Sequence, residues 1–130
     1  MHDTFSLSDS SPQPLAPEDP LYARLQGLAT AALAQALGQP VEVAVGRLDT
    51  LRHWAFLTGR MQSPSGDAIA WQDTPYAELA GHGAVSDVYV ALFKRDDADE
   101  WLLIEQSIGP TDMAWLTWPG DFGAPTNLLQ

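Results

Sequence analysis

The stretch "DPLYARLQGLATAALAQALGQP", residues 19–40, sets the terms for the rest of the chain. Leu21, Leu25, Leu28, Ala32 and Ala36 recur at helical spacing along one stripe, with Leu37 at its edge. Asp19 suits the N-cap, and Pro20 suits the first helical position, where a missing N–H costs nothing. Gly38 is a C-terminal cap, and Pro40 forbids continuation. The outer face carries little charge (Arg24, Gln26, Thr30 and Gln35), so part of it is expected to be covered as well.

Beyond Pro40 the pattern changes to a period of two. "VEVAVGRLD" alternates Val41, Val43 and Val45 with Glu42 and Ala44, the pattern of a half-buried strand. A short turn over residues 49–53 leads to a second strand, "WAFLTGRMQ", residues 54–62. "SPSGDAIAWQDTP" is punctuated by Pro64, Gly66 and Pro75 and reads as a loop, and the glycines of "YAELAGHG" suggest a turn. "VSDVYVALFKR" is a long third strand, "DDADE" an acidic hairpin turn, and "WLLIEQSIG" the returning fourth strand. One helix before four strands on mostly short connections predicts an α+β domain, a long N-terminal helix packed on a four-stranded antiparallel sheet. A helix cradled by a curved sheet describes the cystatin-like and NTF2-like shapes. Residues 1–17, rich in Ser, Pro and Asp, bury too little to offset their ordering entropy and read as a flexible tail before a single domain over 18–130.

Alternation divides the third strand into Val88, Val90 and Leu92 on one face and Tyr89, Ala91 and Phe93 on the other. In the fourth, Leu102, Ile104 and Ile108 oppose Trp101, Leu103 and Glu105. The first set is expected to face the helix. The second, with Tyr89, Phe93, Trp101 and Leu103, is too apolar for a wet face and needs cover from the C-terminal segment, a second copy or a foreign partner. In "GPTDMAWLTWPGDFGAP", residues 109–125, Thr111 or Asp112 is placed to cap a helical turn over "MAWLTW" that Pro119 and Gly120 end. Trp115 and Trp118 then share one side of that turn. The segment is either a lid that plugs a core or a recognition platform.

Composition narrows the chemistry. At 130 residues with a net charge of −11, the chain repels phosphate backbones and anionic lipid, which disfavours nucleic acid and membrane as partners and favours basic ones. It has no cysteine, hence no disulfide, thiolate nucleophile or sulfur-ligated metal. No apolar run is long enough to span a membrane. The N-terminus lacks a signal-peptide pattern, which leaves either a cytoplasmic protein or an exported one whose signal has been removed. His2, His53 and His82 lack metal-ligand spacing. "DDADE" lacks the length and glycine of a calcium loop, and no phosphate-binding loop or nucleophile elbow occurs. No cofactor or metal is expected. The only pairing for acid–base work is His82 with Asp87, five residues on.

"GRLDTLRHWAFLTGR" and "VYVALFKRDDADEWLLIEQSIGPTDMAWLTWPGDFGAP", with the preceding helix, resemble a family of small bacterial proteins without assigned function. The likeness covers roughly residues 20–128 and rests on Trp54, Phe56, Trp101, Gly109, Asp112, Trp115, Trp118 and Pro119. It implies the fold and, since many members carry an export signal, a periplasmic or secreted compartment; it implies no reaction. The expected function is a non-enzymatic protein-binding or inhibitory module using Tyr89, Phe93, Trp101, Leu103, Trp115 and Trp118, engaging a protein partner or a second copy. The alternative is an NTF2-like small-molecule pocket between helix and sheet, catalytic through Asp87 or His82.

Overall fold

The computed structural model describes residues 11–83, 85–111 and 113–129. Strand β1 (Gln13–Pro14) precedes helix α1 (Pro20–Leu37). Then come β2 (Glu42–Leu51), β3 (Trp54–Gln62), a 3-10 turn at Trp71–Asp73, the short α2 (Ala77–Gly81), β4 (Val88–Arg95) and β5 (Trp101–Ile108). The chain closes with a 3-10 turn at Ala114–Thr117, α3 (Trp118–Phe122) and a last 3-10 turn at Thr126–Leu128. The strands form one antiparallel sheet in the order β1-β2-β3-β4-β5.

The fold is α+β, as the patterning predicts, with two corrections. The sheet has five strands rather than four, and the long helix is not the N-terminal element. The additional strand lies inside the stretch expected to be a flexible tail. Gln13 and Pro14 pair with Thr50 and Asp49, the Leu15 N–H donates to the Leu48 carbonyl at 2.8 Å, and the half-buried Leu15 packs on the core. Two residues carry too little alternation to be legible as a strand, and Pro14 reads as a breaker. Residues 1–10 lie outside the described residues.

α1 is bounded as its caps require. The Asp19 carboxylate accepts from the Leu21 N–H at 2.9 Å, and Gly38 takes a left-handed φ of 71° while its N–H donates to the Ala34 carbonyl. Its buried stripe is Leu25, Ala29, Leu33 and Leu37, a strict four-residue repeat. Leu21 and Leu28 lie half-buried beside it, so the expected stripe is rotated.

Two clusters make the core, one on each face of the sheet. α1 covers Val43, Leu48, Ala55, Leu57, Tyr89, Ala91, Phe93 and Trp101, with Leu103 and Ile108 packed against them. On the opposite face the C-terminal segment covers Leu51, Trp54, Phe56, Val90 and Leu92 with Trp118, Ala124, Leu128 and Leu129. The expected faces are therefore exchanged: Tyr89 and Phe93 lie under the helix, and Val90 and Leu92 lie under the lid. Alternation separates two faces without saying which cover goes where.

Two irregularities adjust the register. One falls between Val45 and Arg47 against β3, and one between Leu92 and Phe93 against β5, where Leu92 pairs with Glu105 and Phe93 with Leu103. Ile104 is the extra residue of that bulge. It restores Ile108 to the helix side, whereas strict alternation groups Ile108 with Ile104. Gly109 ends β5 at φ 63°, and a Cβ there would lie 2.9 Å from the Ser86 carbonyl oxygen, so only glycine fits this turn.

Candidate functional site

The residues singled out for binding divide between the two cores. Tyr89 and Phe93 are fully buried beneath α1, Trp101 is buried at the end of that layer, and Leu103 packs half-buried against it. The Tyr89 hydroxyl donates to Gln106 Oε1 at 2.7 Å, and burial pushes its pKa well above the ordinary tyrosine value. Three of these side chains are buried beneath the chain's own helix, and Leu103 is half-buried beside them.

Trp118 belongs to the other core. It is buried, with its ring edge-on to Phe56 and to Phe122, each at 6.4 Å between centroids. Trp115 packs half-buried at the rim of the same cluster. The local helix differs from expectation. Ala114–Thr117 is a 3-10 turn with Met113 at its N-cap position and no side-chain cap, and the proposed cap Asp112 lies outside the described residues. Pro119 does not end the helix; it sits in the first turn of α3, which runs to Phe122 and stops at Gly123 with φ 77°. A proline following a tryptophan reads as a stop, but it is equally an N-terminal residue of the next turn.

The acid–base pair is not assembled. Asp87 pairs with Arg60 (2.6 Å), both side chains exposed, while His82 caps α2 from an exposed position. His2 lies outside the described residues. Among the described residues, no three side chains of metal-ligating type come together, and no helix is long and apolar enough to cross a membrane.

What the surface offers lies around β5. β1 pairs with part of the β2 edge, but β5 is the last strand on its side. Among the described residues, no backbone outside β4 hydrogen-bonds to it. Beside its start, on the lid face, an open hollow of about 550 Å³ is lined by His53, Lys94, Leu102 and Ile104 and by the acidic turn. Leu102 is 49% exposed. Lys94 Nζ stands 5.0 Å from the Trp54 ring centre, so its charge rests on an aromatic face. Arg95 stacks over Trp101 on the other face and reaches Asp99 at 3.7 Å.

Sequence patterning did not single out Lys94, Leu102 and Ile104 as one surface. The signal was present in "WLLIE": consecutive apolar residues in a strand cannot all turn inward, so Leu102 had to meet either a cover or solvent. Compared with protein-family models, with curated proteins and with solved structures, the chain matches none.

Proposed function

We propose that the chain is a small, non-enzymatic protein-binding module, with inhibition of its partner as one use of that binding. The observation that carries the reading is that the cores on both sheet faces are filled from within. α1 fills one core, and the lid fills the other over Trp54, Phe56 and Leu92; the hollows found among the described residues open at the surface, around strand ends, turns and edges and over Ala44, Thr58 and Val88 where the lid stops. A small-molecule domain of NTF2-like type needs a cavity between helix and sheet. Here Tyr89, Phe93, Leu25 and Leu33, each with no exposed surface, occupy that volume, so the cystatin-like description suits the chain better.

The same closure bears on how a partner is met. A second copy docking on Tyr89 and Phe93 would have to displace α1, so the reading favours a foreign protein at the strand ends and edge. The test is affinity capture from the native organism's lysate, set beside a thermal-shift screen of metabolites. The reading expects one protein retained at fixed stoichiometry and no metabolite that shifts the midpoint. A metabolite that binds and stabilises, with no protein retained, overturns it.

A further inference from the structure

The edge of β5 gives the binding module a specific mode of recognition, and this inference rests on the reading above. The hydrogen bonds at its two ends fix which residues look outward. The Asp96 N–H donates to the Glu100 carbonyl at 2.9 Å, and the Gly109 N–H donates to the Val88 carbonyl at 2.9 Å. Antiparallel pairs alternate between bonded and non-bonded. Counting inward from both ends to the bulge leaves Trp101, Leu103, Gln106 and Ile108 with backbone groups turned away from β4.

One of those outward donors is already occupied in a telling way. The Gln106 N–H donates to Glu105 Oε1 at 3.0 Å, so the strand's own carboxylate sits where the carbonyl of an adjoining strand would lie. β5 carries neither proline nor lysine, the residues that commonly blunt a free edge.

We infer that this edge takes an extended peptide segment bearing lysine or arginine, added as a sixth strand. Charge selects the occupant. Asp96, Asp97, Asp99, Glu100 and Glu105 lie at or on β5, against the cations Arg24, Lys94 and Arg95. Arg24 is held by Glu100 at 2.6 Å and Arg95 by Asp99, while Lys94 sits over Trp54. The surplus is acidic, on a chain of net charge −11. A second copy adding its own β5 antiparallel would bring Glu105 beside its counterpart at the centre of the pairing, between two chains of like charge, so self-pairing is opposed where a basic strand is attracted. The incoming carbonyl replaces Glu105 at the Gln106 N–H and frees that carboxylate to meet the segment's cation. Leu102 supplies apolar contact beside the bulge. Main-chain bonds provide affinity in such strand addition, and alternate side chains provide selectivity.

The test uses the full chain and two short synthetic peptides, one alternating lysine with valine and one alternating glutamate with valine. The lysine peptide is expected to bind at least about tenfold more tightly, to weaken with added salt, and to slow amide exchange at Leu103, Gln106 and Ile108. N-methylation of one alternate set of its residues should abolish binding, and methylation of the other set should not. Leu102→Lys, at an exposed position, should weaken the lysine peptide by about tenfold without altering the fold. Equal binding of the two peptides, equal effects of the two methylation patterns, or protection elsewhere overturns the inference. So does self-association of the free chain through the same amides. If a captured partner protein leaves these amides unprotected and ignores Leu102→Lys, the edge inference falls while the module reading stands. If no protein is captured and neither peptide binds, both fall.

Discussion

The two faces of the sheet are closed by opposite means. On one, α1 repeats Leu25, Ala29, Leu33 and Leu37 at four-residue intervals, each at most 1% exposed, between an aspartate cap and a glycine cap. On the other, three short turns bring one large ring, Trp118, together with Ala124, Leu128 and Leu129. A capped helix of 18 residues carries local reasons to form. Turns of three to five residues carry almost none, so the lid takes its shape from the sheet it covers. Local order thus makes one face and tertiary contact makes the other, yet both end with buried cores.

The largest side chains of the two faces are expected to give the largest effects. Trp118→Ala is expected to cost roughly 3–5 kcal/mol, comparable to the roughly 2–5 kcal/mol of Leu33→Ala beneath the helix. Urea midpoints measure both, and a Trp118 cost below about 0.5 kcal/mol, the level of a surface position, would separate the faces.

A second effect belongs to the helix side alone. Burial raises the pKa of Tyr89 in the folded chain, so the native state favours the neutral hydroxyl. That stabilisation is intact below the unfolded tyrosine value of about 10. Above it, stability falls by up to about 1.4 kcal/mol per pH unit, as the unfolded chain ionises and the folded one resists. Tyr89→Phe should flatten the loss in denaturation curves taken on either side of that pH. An unchanged slope would mean Tyr89 ionises freely. The substitution also removes the bond to Gln106, so the slope rather than the absolute stability is the readout.

Smaller differences grade the lid. Trp115, half-buried at its rim, should cost about 1 kcal/mol as Trp115→Ala, well short of Trp118. The link between helix and acidic turn should matter least. Arg24 and Glu100 are 2.6 Å apart, with both side chains more than half exposed. Arg24→Met should therefore move the thermal midpoint by the equivalent of less than about 1 kcal/mol.

Legibility in the sequence divides along the same line. The α1 boundaries were readable because Asp19, Pro20, Gly38 and Pro40 act locally, and the four longer strands were readable from alternation and turns. The assignment of faces was not, because the even residues Val88, Val90 and Leu92 and the odd residues Tyr89, Ala91 and Phe93 are equally apolar. Only the covering segments distinguish them. Leu128 and Leu129 carry no signal of burial in the sequence because no periodic pattern leads into them, although both are buried. The pairing of Gln13 and Pro14 depends on where β2 lies, and two residues carry no signal of that. Of the candidate site, the aromatic residues were visible as a group. Their separation into two cores, and the place of the exposed Leu102 beside an open edge, are properties of the folded register.

Above all, this chain fills the core on both faces of its own sheet, with Trp118 as the plug of the second. The most direct measurement replaces the five tryptophans with 5-fluorotryptophan and compares fluorine NMR shifts in light and heavy water, assigning each signal by single Trp→Phe substitutions. Trp118 is expected to be as insensitive to the solvent isotope as Trp54 and Trp101, with Trp115 and Trp71 responding in part. A Trp118 signal that shifts like a fully hydrated ring would contradict this closure, leaving the face of Phe56, Val90 and Leu92 without its cover.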